Sequence, residues 1–385
     1  MEESAKYPQT PAQYDLFTGE AKPIPVVIDK YIEEDLFVSD QISLVRSGDA
    51  AQIILSGYGI FLSKKGDRLI VKKKRSPVYE FPFFRLSEVT VASRGITISS
   101  DLIMELCARG IQINFLQGNG KPYAKILSPT LTATTRARRE QLRAIDDKRG
   151  AEFSRIIVKG KIRNQKKLLL YFGKYIKKKK PELYPAIEKK VKMLEQSENR
   201  IKRFKGGLVE HIRDELLGIE GTSSRIYWEG VQEIIRNRVE FMGRVHRGAT
   251  DKVNAMLNYG YGILYSHVWG AVVCAGLEPF AGFLHTDRPG KPSLVLDLVE
   301  EFRQPVVDRT VISYVNLGEN IKMEGGLLDS ETRKKLSQKI INRLESRESY
   351  QGKKYQIRSV IQIQARNLAA FLRGEKTYKP FSFKW

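Results

Sequence analysis

Between residues 52 and 127 the apolar positions fall in short runs that alternate with polar ones. GIFLS (59–63) and RLIVK (68–72) are two such runs. Lys64-Lys65-Gly66-Asp67 joins them, which predicts a hairpin with glycine available at the turn. EVTVAS (88–93) and GITIS (95–99) repeat with period two and read as further strands. SSDLIMELCARG (99–110) changes to helical spacing, with Ser100 or Asp101 as N-cap and Gly110 as the stop. IQINFLQ (111–117) then reads as a return strand ending at Gly118-Asn119-Gly120.

From residue 135 onward the apolar residues recur at intervals of three and four, as at Ile156, Ile157, Leu168–Leu170, Ile187, Val191 and Leu194. Breaks are expected near Pro181, Gly206-Gly207, 276–292 and 317–328. The pattern predicts an α+β protein: a small, mostly-β N-terminal domain over 46–127, a linker over 128–134 and a larger all-α domain over 135–385. Residues 1–45 carry Pro8, Pro11, Pro23 and Pro25 and read as a loose arm, with room for one edge strand at 25–29.

Composition narrows the function. The 385 residues hold 66 Lys and Arg against 44 Asp and Glu, a net charge of +22. Such an excess favours a polyanion through counterion release. No run of 18 apolar residues and no basic amphipathic anchor is present, so nucleic acid is preferred over a membrane. The polar, acidic start is not a secretory signal, and Cys107 and Cys274 read as free thiols of a reducing cytoplasm. No Walker or C-x-x-C motif occurs, so neither ATP nor a zinc finger is implied. The four successive lysines of IKKKKP (176–181) are a solvated helix end or a phosphate contact, with even weight on each.

Three segments carry candidate chemistry: RIYWEG (225–230), GFLH (282–285) and LDLVEEFR (296–303). They supply Glu229, His285, Asp297 and Glu300. Carboxylates with one imidazole suit Mg²⁺ or Mn²⁺. Asp297 and Glu300 stand three apart on an expected helix and so share a face. Each residue alone has an ordinary explanation: a surface glutamate, a structural histidine, or an ion pair through Glu301 and Arg303. Asn254, Asn258, Tyr259 and Tyr265 lie on one expected helix, where DNA contact, ligand orientation and core packing explain them equally well.

The order YWEG, GFLH, D-L-x-E-E-F-R resembles the CRISPR-associated integrase of spacer acquisition, the first-numbered protein of that system. LLGIEG (216–221), NAMLNYGYGILY (254–265) and KIRNQKKLL (161–169) support the resemblance, which runs from about residue 52 to the end. It implies a metal-dependent DNA integrase and endonuclease in which a DNA 3′-hydroxyl attacks a phosphodiester of the repeat array. It further implies Glu229, His285 and Glu300 as ligands of Mg²⁺ or Mn²⁺, with Asp297 holding a second cation or a water. Double-stranded DNA, a homodimer built on the β domain and the small second-numbered CRISPR-associated protein are the implied partners. A repair or junction nuclease, and a nucleic-acid-binding protein without catalysis, are the alternatives.

Overall fold

Strong β-formers at alternate positions build the N-terminal half of the protein. The structure is a computed structural model, and it describes residues 13–14, 21–22, 37–39, 42–47, 50–128, 134–204, 207–236, 238–245 and 250–384. The chain divides into two units, Met1–Leu36 and Phe37–Trp385. In the first, β1 (Gln13–Tyr14) pairs antiparallel with β2 (Ala21–Lys22). The edge strand expected at 25–29 lies outside the described residues.

The second unit opens with β3 (Phe37–Ser39), β4 (Ile42–Ser47), β5 (Ala50–Leu55), β6 (Ile60–Lys65), β7 (Arg68–Lys73), β8 (Ser76–Pro82), β9 (Leu86–Val91) and β10 (Ile96–Ile98). α1 (Ser100–Ala108), β11 (Gln112–Leu116) and β12 (Pro122–Ile126) complete this part. Ser99 rather than Ser100 or Asp101 caps α1, its hydroxyl accepting from the Leu102 amide at 3.3 Å. Two sheets form, ordered β12-β11-β9-β5-β4-β3 and β10-β6-β7-β8. Their shared core holds Leu44, Ile53, Leu62, Val71, Val89, Leu102 and Ile113. β5, β9 and β11 run parallel at the centre of the larger sheet; one face feeds the apolar core, and the other carries Gln52, Glu88, Thr90 and Asn114, which hydrogen-bond among themselves. β4 straddles the boundary expected at residue 45, because its pairing with β5 joins it to the sheet.

The helical part comprises α2 (Thr134–Arg143), α3 (Lys148–Lys179), α4 (Tyr184–Ile201), α5 (Val209–Ile235), α6 (Lys252–Cys274), α7 (Ser293–Val299), α8 (Arg309–Asn316), α9 (Ser330–Glu345) and α10 (Ile357–Leu372). It is not wholly helical. Hairpins β13–β14 (Met323–Glu324, Leu327–Leu328) and β15–β16 (Arg347–Tyr350, Lys353–Gln356) interrupt it. Both turn at paired residues with positive φ, Gly325-Gly326 and Gln351-Gly352.

α3, α4 and α5 each pack against the other two as a three-helix bundle. α6 buries residues all round its circumference, from Val253 to Val272, which marks a helix inside the core rather than on its surface. It also touches β11 and β12. The β11–β12 turn settles on it because Gly262 has no side chain. A Cβ there would lie 1.7 Å from the Gly120 carbonyl oxygen.

Candidate active site

KIRNQKKLL places Lys161, Asn164, Gln165 and Leu168 at i, i+3, i+4 and i+7, on one face of α3. All four are buried. Asn164 donates to the Glu301 and Phe381 carbonyls at 2.9 and 3.0 Å, fixing this face against the chain after α7. Along α5, Arg213, Glu220, Ser224 and Tyr227 fall on a second common face, since seven residues make almost two full turns. Arg213 donates to the Phe283 carbonyl at 3.1 and 3.2 Å and so holds the loop that carries His285.

That loop is closed from the other side by Asp297, which is fully buried. Its Oδ2 accepts from the Phe283 and Leu284 amides at 2.7 and 3.1 Å. Its Oδ1 accepts from the His285 amide at 3.0 Å and lies 2.7 Å from His285 Nδ1. An ionised carboxylate offers about four acceptor sites, and these contacts use them. Gly282 permits the tight approach, because a Cβ would meet the Ser293 carbonyl carbon at 2.6 Å. With Nδ1–H donated to Asp297, the neutral ring keeps its lone pair on Nε2. In this structure Asp297 orients His285 and its loop through these four contacts.

Glu300, the C-cap residue of α7, is buried. Arg303 Nε donates to its Oε1 at 3.1 Å, and Lys161 Nζ lies 2.7 Å from its Oε2. Oε2 is thus held by the Lys161 ion pair and Oε1 by Arg303. Burial pushes the Glu300 carboxyl up, but attraction from Arg303, Lys161 and then His285 outweighs it and brings the pKa down to about 2. Lys161 also pairs with Glu220. Ser224 donates to the same Glu220 oxygen at 3.0 Å, and Gln165 donates to Ser224 at 3.3 Å. Two carboxylates from separate helices thus converge on one ammonium.

Glu229 is not among them. It follows Glu220 by nine residues, which at 100° each turns it to the opposite face of α5. There it pairs with Lys190 of α4. The residue of α5 that reaches Lys161 is instead Glu220, which LLGIEG contained. Tyr227 was the available signal. Its ring must be buried, and it shares a face with Glu220 rather than with Glu229.

Beside this site lies a cleft of about 1080 Å³. Tyr261, Tyr265, Trp269, Phe280 and Arg303 line it from the helical side, and Lys121 and Lys125 from β12 and its turn. Arg303 sits over the Tyr261 ring at 4.6 Å. Tyr261 and Tyr227 both donate to the buried Asp308, at 2.5 and 2.8 Å. Of the α6 candidates, Asn258, Tyr259 and Tyr265 line the cleft. Asn254 is instead a buried clamp that donates to Gly243 and accepts from Arg244, while Tyr259 bonds Ser337 at 3.0 Å. No described group of three or more His, Cys, Asp and Glu side chains forms a ready-made cation site. The donor chemistry nevertheless fits one: the carboxylates of Glu220 and Glu300 face a single ammonium, and an oriented imidazole adds its charge to the same field.

The fold is a β-rich region followed by a larger helical part, in a chain of net charge +22. The chain matches the family model for CRISPR associated protein Cas1 over residues 53–342. It is 35% identical over 347 residues to "CRISPR-associated endonuclease Cas1 1" of Archaeoglobus fulgidus, covering 87% of this chain and 100% of that protein. The protein of the same name from Francisella tularensis subsp. novicida is 37% identical over 333 residues, covering 86% and 99%. Among solved structures, a casposase bound to integration product superposes with a TM-score of 0.71 at 27% identity, over 86% of this chain and 92% of that one. A Cas1 protein from Thermotoga maritima shares the fold with a TM-score of 0.68 at 18% identity, over 86% and 99%. The chain belongs to the Cas1 family of CRISPR-associated proteins.

Proposed function

We infer that this chain is a DNA integrase and endonuclease of CRISPR adaptation, joining a DNA 3′-hydroxyl to a phosphodiester of the repeat array. One observation carries the chemistry: Glu220 of α5 and Glu300 of α7 face one buried cation beside a His285 ring whose Nε2 is kept free for ligation by Asp297. Glu220, His285 and Glu300 would hold Mg²⁺ or Mn²⁺. Bound there, such a cation supplies Lewis-acid polarisation of the phosphoryl oxygens.

The remaining steps belong to the protein. Asp297 fixes the tautomer and direction of the imidazole. Arg303, stacked on Tyr261, presents its guanidinium to the cleft where the DNA backbone would enter. The charge of +22 binds phosphates without reading sequence. Water in place of the 3′-hydroxyl turns the same geometry into an endonuclease. Two partners are part of this reading: a second copy of the chain through the β domain, and Cas2. Support for Cas2 comes from the likeness in fold to a solved Cas6-RT-Cas1–Cas2 complex, with a TM-score of 0.66 at 21% identity. No helix among the described residues is long and apolar enough to cross a membrane.

The test is strand transfer of a 3′-hydroxyl duplex into a repeat-containing plasmid with Mn²⁺ or Mg²⁺. Glu220→Gln and His285→Ala lose at least about a hundredfold in rate, because metal stabilisation of the transition state is worth several kcal/mol. Glu229→Gln retains activity. An active Glu220→Gln alongside a dead Glu229→Gln refutes the site, and hydrolysis without transfer by the unaltered protein makes it a repair or junction nuclease instead.

A further inference from the structure

Lys161 has a long, flexible side chain, yet only 11% of that side chain is exposed. It reaches Glu220 on α5 and Glu300 at the end of α7 at once. Burying an ammonium is costly unless it is paired, and here the pairing takes two carboxylates from different elements. Counted with Arg303, the cluster holds two fixed positive and two fixed negative charges and is neutral without any guest. A divalent cation liganded by the same oxygens would sit next to the ammonium, and two like charges at that separation in a low-dielectric site repel strongly.

Resting on the reading of Glu220, His285 and Glu300 as ligands, we propose that Lys161 is a built-in counterion which the divalent cation displaces, and that the released ammonium takes a non-bridging oxygen of the scissile phosphodiester. Displacement exchanges one cation for another on Glu300 Oε2, since the ammonium at 2.7 Å already occupies a carboxylate oxygen that a divalent cation would take. Lysine suits the second task, since its four-carbon stem swings a point charge that phosphate accepts from any direction. Arg303 already joins Glu300 to the cleft wall, so the phosphate arrives within the same cationic cluster. With the cation bound, the cluster has two surplus positive charges, and phosphodiester oxygens are the groups that balance them. Metal and DNA therefore bind with positive, reciprocal coupling.

The experiment measures Mn²⁺ affinity by electron paramagnetic resonance on the full chain, with and without a duplex carrying a free 3′-hydroxyl, using Glu300→Gln protein to subtract Mn²⁺ held by DNA alone. The unaltered protein binds Mn²⁺ about tenfold or more tighter with DNA present. Lys161→Met binds Mn²⁺ about tenfold or more tighter without DNA, loses the enhancement by DNA, and transfers strands poorly even at saturating Mn²⁺. A merely structural lysine would not tighten metal binding when removed. Unchanged or weaker Mn²⁺ affinity in a folded Lys161→Met overturns the proposal. So does equal affinity of the unaltered protein with and without DNA, which needs no variant to fold. If Glu220→Gln and Glu300→Gln bind Mn²⁺ as well as the unaltered protein, the ligand assignment itself falls. If both lose Mn²⁺ while Lys161→Met matches the parent, only the role of Lys161 falls.

Discussion

Replacing Asp297 with asparagine probes the group that joins fold to chemistry. The carboxylate accepts four hydrogen bonds, from the amides of Phe283, Leu284 and His285 and from the His285 ring. An amide of the same shape has one carbonyl oxygen and can keep two of them. If that oxygen stays with His285, the new NH₂ abuts the Phe283 and Leu284 N–H groups and leaves two buried donors without acceptors. Each such donor costs about 1–3 kcal/mol, so the variant should lose roughly 2–6 kcal/mol of stability. In the flipped orientation the NH₂ donates to Nδ1, which moves the ring proton to Nε2 and removes the lone pair needed for ligation. Either outcome weakens metal affinity by roughly 10–100-fold, the usual effect of losing an orienting partner. Urea unfolding gives the first quantity, Mn²⁺ titration the second and strand transfer the consequence. A variant with parental stability and activity would refute the acceptor-hub reasoning. A stable variant as inactive as His285→Ala would show that Asp297 touches the reacting groups directly.

Two further outcomes follow from buried geometry. Glu301 is fully buried, and burial outweighs its hydrogen bonds from Tyr378, Phe381 and Gln364 to push its pKa up to about 7. The folded state thus keeps a proton that the unfolded state has lost between about pH 4.5 and 7. This group's contribution to stability is present below that window and declines through it by about 3 kcal/mol. Glu301→Gln should flatten this part of the thermal-stability profile and unfold later than the parent at pH 8; a profile with the parental slope would show that Glu301 does not titrate there. Gly262→Ala drives a methyl into the Gly120 carbonyl and should cost about 3 kcal/mol or more in urea unfolding, whereas an unchanged midpoint would mean the β11–β12 turn does not rest on α6.

Local pattern determined a good deal of this protein. Period-two runs marked β6, β7, β9 and β10, and spacing of three and four marked the helices, because each element's solvent and core faces repeat within a few residues. The charge excess pointed to nucleic acid for a similarly sequence-level reason: it needs no fold to act. The order of the short segments singled out His285 and Glu300 as candidates. What tertiary structure decided was orientation. Glu220 and Glu229 are both glutamates of one helix, and only the packing of α5 against α3 and α4 chooses which faces His285's side of the molecule and which faces Lys190. Asp297 and Glu300 have a spacing that suggests a shared task. The backbone of the 282–285 loop claims the first, and the cations of α3 and of Arg303 claim the second. Lys161 reads in sequence as one more basic residue in a basic chain. Its burial between two carboxylates depends on partners 59 and 139 residues away. The parallel pairing of β5, β9 and β11 likewise joins strands distant in sequence. Periodicity records which side of an element is buried, but not what it is buried against, and the chemistry of this site consists of those partners.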